Sequence, residues 1–114
     1  DRANHHLKGR FDCLSVAFLR YLKYHVNVAN QANVEIRFCG EMASNSLEAL
    51  VLLGLGVRKL SITPLSIAPI KLMIRTLELQ PFSVFLTHLL EQEDVNVRYS
   101  VQAYAKDHGI LLGF

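Results

Sequence analysis

A thiol, a glycine and a carboxylate stand together at Cys39-Gly40-Glu41, directly after the β-prone run Val34-Glu35-Ile36-Arg37-Phe38. An unperturbed thiol, with a pKa of about 8.5, is still protonated at neutral pH, so it can donate a proton and take it back. Glycine at position 40 lets backbone approach a bound ligand closely. Glu41 can orient the loop or cap the next helix, and a solvated carboxylate is its ordinary reading. Arg2 is the second chemically able residue. Its guanidinium is a planar fork of donors suited to phosphate or carboxylate, although the second position of a chain is where fraying is usual. His5-His6 reads as solvated surface, because adjacent side chains on a loop point apart and no acidic cluster accompanies them. His25, His88 and His108 are scattered.

The two cysteines, Cys13 and Cys39, form no CxxC pair and no zinc-ligand spacing. A disulfide scaffold would be denser, which implies a reducing, cytoplasmic setting. Taken alone, either cysteine reads first as a small buried hydrophobe. A redox pair is disfavoured because neither has a resolving partner nearby in sequence. The charge of +2, from 12 basic and 10 acidic residues, leaves no footprint for nucleic acid or anionic lipid. The longest apolar run, Ala49 to Val57, contains two glycines and falls far short of the ~20 residues of a membrane span. Asp1 to Asp12 is polar and mixed in charge, unlike a signal peptide. The chain's 51% hydrophobic residues exclude a disordered tail.

The elements that must hold these residues alternate. Ser15 caps a helix predicted to run to about Asn30, with Leu14, Phe18, Leu22 and Val26 on one face and Arg20 and Lys23 facing away. Val34–Phe38 reads as a strand ending at Cys39-Gly40. Ser46 starts a helix that stops at Gly54 or Gly56. Arg58–Thr63 reads as a second strand, ended by Pro64, and Ser66 caps a third helix to about Leu77. This order implies parallel strands joined by crossovers, in a barrel or open sheet. After Gln80-Pro81 only helices follow. Phe82, Phe85, Leu86, Leu89 and Leu90 form one stripe, Val97, Val101 and Tyr104 another, and His108-Gly109 ends the second.

The ordered set Asp1-Arg2-Ala3-Asn4, Cys39-Gly40-Glu41-Met42-Ala43, Leu52-Leu53-Gly54-Leu55-Gly56 and Leu60-Ser61-Ile62-Thr63 with Ser66-Ile67 is more specific than any of its pieces. It resembles the carboxyl-terminal part of phosphoenolpyruvate–protein phosphotransferase, enzyme I of the bacterial phosphotransferase system, over residues 1 to 78. The resemblance extends to the nitrogen-related branch of the family. The family pattern is roughly DRGN, CGEMAGD or CGELAGD, LLLGLG, an FSMS-like strand and a SIPR helix start. Pyruvate phosphate dikinase and phosphoenolpyruvate synthase share the Cys-Gly-Glu idea but are less similar.

The resemblance implies an α/β fold: the last two units of a (β/α)₈ barrel over residues 1–80, followed by a helical extension over residues 81–114. A barrel takes about 250 residues, so 114 suits a slice of one. It also implies that phosphoenolpyruvate (PEP) gives its phosphoryl group to a protein histidine. That histidine lies in an amino-terminal domain outside this sequence, from which a phosphocarrier protein is then charged. Cys39 inherits the role of protonating the enolate to pyruvate, Arg2 that of contacting the phosphoryl group, and Gly40 lies against the substrate. Magnesium is the implied cofactor, with its carboxylate ligands expected upstream of Asp1. The isolated chain is then expected to be inactive. A homodimer is the implied assembly, and a non-catalytic assembly module is the competing reading. Departures from the pattern are Ala3 for glycine, Ser44-Asn45 for Gly-Asp, and Ala68-Pro69 for Pro-Arg.

Overall fold

Asp12 and Ser15 both accept backbone N–H hydrogen bonds at the start of the first helix, Asp12 closing the turn before it and Ser15 capping it. Asp12 Oδ1 takes Leu14 N–H at 2.9 Å and Ser15 Oγ takes Phe18 N–H at 3.3 Å. The computed structural model describes residues 12–113. Helix α1 (Val16–Gln31) follows. It ends in a left-handed Asn33, φ 57°, with Val34 N–H reaching back to the Ala29 carbonyl. Leu14 and Val26 are buried as expected, but the centre of the face is Leu19, while Phe18 and Leu22 are half-buried. A four-residue repeat drifts by about 40° per turn on a 3.6-residue helix, so Leu22 and then Phe18 fall progressively farther round from the face that Val26 shares with Leu19.

Strand β1 (Arg37–Phe38) leads to a short helix α2 (Glu41–Ser44) and then to α3 (Ser46–Leu55). Strand β2 (Lys59–Leu60) returns parallel to β1, with Arg37 opposite Lys59 and Phe38 opposite Leu60. Parallel pairing requires a crossover, which α2 and α3 provide. Both strands are shorter than the predicted Val34–Phe38 and Arg58–Thr63. The described residues form a two-stranded sheet, and among them Val34–Ile36 has no neighbouring strand in register; Val34 is 56% exposed.

Asn45 Oδ1 caps α3 through Glu48 N–H at 3.2 Å, and left-handed Gly56, φ 110°, ends it. Seven of its ten residues are buried, which makes α3 the central helix. A 3₁₀ turn (Pro64–Ser66) opens the next segment, with Thr63 at its N-cap. Ser66 does not cap the following helix as predicted. Its backbone is already helical, at φ −93° and ψ −7°, and its Oγ pairs with Thr63 Oγ1 at 3.1 Å. Helices α4 (Ile67–Thr76), α5 (Leu79–Glu91) and α6 (Val97–Asp107) complete the order. His108 and left-handed Gly109 end α6 as expected. The chain then lies along α4, where Leu111 N–H reaches Thr76 Oγ1 at 2.9 Å.

The main core joins Leu50 and Val51 of α3, Met73 of α4, Phe82 and Leu86 of α5, and Val101 of α6. A smaller cluster of Val26, Leu52 and Val57, flanked by Ile36, Phe38 and Leu60, supports the two strands. Arg20 and Lys23 do not simply face water. Arg20 donates to the carbonyls of Leu90 and Gln92, closing the end of α5, and Lys23 Nζ reaches Thr87 Oγ1 at 2.7 Å. No helix among the described residues is long and apolar enough to cross a membrane.

Arg98 of α6 binds Asp12 at 2.8 Å and Glu48 at 3.0 Å, tying the last helix to the start of α1 and to α3. The hydrogen bond from Arg98 holds the Asp12 carboxyl below its ordinary value. A lowered carboxyl pKa contributes stability above the unfolded-state value, and that stability is lost as pH falls through the folded-state value. Arg98→Met is therefore expected to cost on the order of 1 kcal/mol at pH 7 and moderate salt, because the pair is partly exposed. The difference from the unsubstituted protein should shrink as pH falls below about 4. Urea unfolding at pH 7 and pH 3 measures it. A constant difference would contradict the assignment.

Candidate active site

In a parallel pair both strands leave the sheet at the same rim, so the segments after β1 and β2 emerge side by side. After β1 the Phe38 carbonyl accepts from Ser61 N–H at 2.7 Å, extending the ladder by one bond. Cys39 is the next residue, and it is exposed on this rim. The chain then turns at Gly40, with φ 86° and ψ −159°, a region open essentially to glycine alone. A Cβ built at Gly40 would meet no atom within 4 Å, so no atom of the described chain crowds that backbone. Glu41 opens α2 and is exposed, Met42 is half-buried and Ala43 is fully buried. Met42 and Ala43 therefore moor the turn to the core and leave the thiol on the water side.

The second thiol has the opposite surroundings. Cys13 is half-buried, and burial, followed by the Glu48 carboxylate, pushes it up to about 11. It stays a protonated, structural side chain at neutral pH.

Arg2, named from the sequence as a phosphate contact, lies outside the described residues, as do Asn4, His5 and His6. Cys39 and Gly40 fall together at the exit of β1. Sequence reasoning missed two partners on this rim: Ser44 Oγ accepts from Thr63 N–H at 3.1 Å, and Thr63 Oγ1 pairs with Ser66. Their only sequence signal was that Ser44 and Thr63 are hydroxyl residues flanking the two strand exits. Among the described residues no three His, Cys, Asp or Glu side chains gather closely enough to hold a metal ion.

The arrangement is an α/β crossover unit that presents one exposed thiol and a glycine turn at a strand exit. A family profile described as PEP-utilising enzyme, PEP-binding domain, matches residues 1–79, and the chain belongs to this family. A Salmonella typhimurium protein called phosphoenolpyruvate-dependent phosphotransferase system is 32% identical over 111 residues, covering 96% of this chain and 15% of that protein. Phosphoenolpyruvate-protein phosphotransferases of Cupriavidus necator and Bacillus subtilis are 35% identical over 71 residues and 27% over 107. They are covered over 12% and 18% of their lengths, and 62% and 94% of this chain is matched. The chain thus spans less than a fifth of these relatives. The family expected from the motifs is borne out, and the Salmonella match extends past residue 78 into α5 and α6.

Proposed function

We propose that this chain forms part of the PEP site of a PEP-dependent protein phosphotransferase, in which Cys39 protonates the enolate that phosphoryl transfer leaves behind. The observation that carries this reading is the exposed Cys39 thiol at the exit of β1, beside a glycine-only turn, in a member of the PEP-utilising family. The β1–α2–α3–β2 unit has the parallel crossover form from which a (β/α)₈ barrel is built. In this reading the chain supplies the last two such units.

The chemistry follows from the groups. PEP gives its phosphoryl group to a protein histidine outside this chain, breaking the bond between phosphorus and the enol oxygen. The electrons of that bond remain as the enolate of pyruvate. The Cys39 S–H then donates its proton to the methylene carbon, forming the methyl group of pyruvate and leaving a thiolate. An exposed thiol at the rim suits the step, since it can reach a ligand on the strand-end side and regain its proton afterwards. Arg2 holds the phosphoryl oxygens and the Gly40 backbone lies against the substrate. Magnesium ligands lie upstream of Asp1, and the charged histidine passes the phosphoryl group to a phosphocarrier protein.

The test is to incubate the full-length protein with PEP labelled in its phosphoryl group. Acid-labile label on a protein histidine, together with one pyruvate per label, is the expected result. The 114-residue chain alone should release no pyruvate. Absence of label and pyruvate from the full-length protein would overturn the reading.

A further inference from the structure

The parallel ladder has a period of two residues, and its next bond after Ser61 N–H to the Phe38 carbonyl would run from Thr63 N–H to the Gly40 carbonyl. That acceptor is lost, because the chain turns out of the sheet at Gly40 with φ 86°. Thr63 N–H goes instead to Ser44 Oγ at 3.1 Å. The serine hydroxyl, at the far end of α2, thus stands in for the missing ladder carbonyl. The segment from Cys39 to Ser44 is held at both ends by alternate residues of one neighbour: at Phe38 by Ser61, and at Ser44 by Thr63. Thr63 is itself fixed, since its carbonyl accepts from Ser66 N–H at 3.0 Å and its hydroxyl pairs with Ser66 Oγ at 3.1 Å. Ala43, fully buried, holds the same segment from below.

We propose that Ser44 is a positioning residue for Cys39. Its hydroxyl locks the Cys39–Ser44 turn to the exit of β2 and so sets the direction in which the thiol points. Glycine, the usual residue at this place in the pattern the sequence resembles, could not supply the acceptor. The proposal rests on the reading of Cys39 as the proton donor. Without the Ser44 bond, Thr63 N–H turns to water at little cost to stability, because Thr63 is exposed. The turn, however, gains freedom where proton transfer needs a narrow approach.

The experiment uses the full-length protein with Ser44→Ala, Ser44→Thr and Cys39→Ala. Ser44→Ala is expected to lower kcat for pyruvate formation about tenfold with KM changed by less than about twofold, because a displacement of an ångström or less is enough to slow a positioned step. Ser44→Thr, which keeps the hydroxyl, should restore most of the rate. The rate of Cys39 alkylation by iodoacetamide should also change in Ser44→Ala while the melting temperature stays nearly constant. Loss of activity in Cys39→Ala alone, with Ser44→Ala unchanged in kcat and in alkylation, would overturn the role of Ser44 and leave that of Cys39 standing. Full activity in Cys39→Ala would overturn the proton-donor reading. The alkylation comparison would then decide by itself whether Ser44 orients the thiol, an unchanged rate ruling it out.

Discussion

Replacing Cys39 by alanine in the full-length protein is expected to lower pyruvate formation by about 10²–10⁴-fold, the range over which a positioned general acid contributes. That range corresponds to about 3–5 kcal/mol of transition-state stabilisation. Affinity for PEP should change by less than about threefold, because the phosphate and carboxylate are held by cations, whose charge-assisted bonds dominate recognition of such groups. The substitution itself is structurally mild: Cys39 is exposed, lies outside the strand pairing and leaves no cavity. A loss of turnover therefore cannot be assigned to unfolding, and circular dichroism of the variant should overlay that of the unsubstituted protein. Turnover kinetics and isothermal titration with PEP separate the two effects. A variant that lost binding and turnover in the same proportion would make Cys39 a binding group instead of a proton donor.

A one-carbon change at Gly54 is expected to destabilise the core. This glycine sits inside α3, and a Cβ there would fall 2.6 Å from a Phe82 ring carbon and 2.8 Å from Leu86 Cδ2. Ser83 Oγ also donates to the Gly54 carbonyl at 2.8 Å, so α3 and α5 meet in direct contact of backbone and side chains. Phe82 is fully buried, Leu86 is 1% exposed, and neither has free space to swing into water. Gly54→Ala gains at most about 1 kcal/mol in helix propensity, and less than that so near the helix end. Overpacking a close-packed core costs about 1–3 kcal/mol, so the clash wins. A net loss of about 1–2 kcal/mol in chemical unfolding is expected. Combining it with Phe82→Leu should recover part of the loss, since the smaller side chain vacates the volume the methyl group needs. A neutral or stabilising Gly54→Ala would show that the two helices are not in contact at this point.

The contrast between Gly54 and Gly56 shows what sequence could and could not supply. Both read as possible helix stops. Gly56 is the stop, in the left-handed conformation that a local chain signal encodes. The role of Gly54 depends on Phe82 and Leu86, which lie about thirty residues downstream, and no local pattern carries that information. The same division holds elsewhere. The Ser15 cap and the apolar stripes of α5 and α6 were legible because capping and periodicity act within a few residues. Arg20 reads as facing away from the core, yet it closes the end of α5 from 70 residues away, and Arg98, which no local pattern singles out, joins Asp12, 86 residues distant, to Glu48. At the site, Cys39-Gly40 was legible from its motif and from its place at a strand exit. The Ser44–Thr63 bond was not, because it exists only once the two strand exits lie side by side. The strands came out shorter than their β-branched runs suggested, since pairing requires a neighbour in register as well as propensity.

The central claim is that the Cys39 thiol faces the bound PEP. The most direct measurement is the rate at which iodoacetamide labels each cysteine of the full-length protein, read by peptide mass spectrometry with and without PEP. Cys13, half-buried and pushed up to about 11, should react slowly in both conditions and serve as the internal reference. Cys39, exposed, should react readily without ligand. PEP at ten times its dissociation constant is expected to slow Cys39 labelling by about tenfold and to leave Cys13 unchanged. Equal labelling of Cys39 with and without saturating PEP would contradict it.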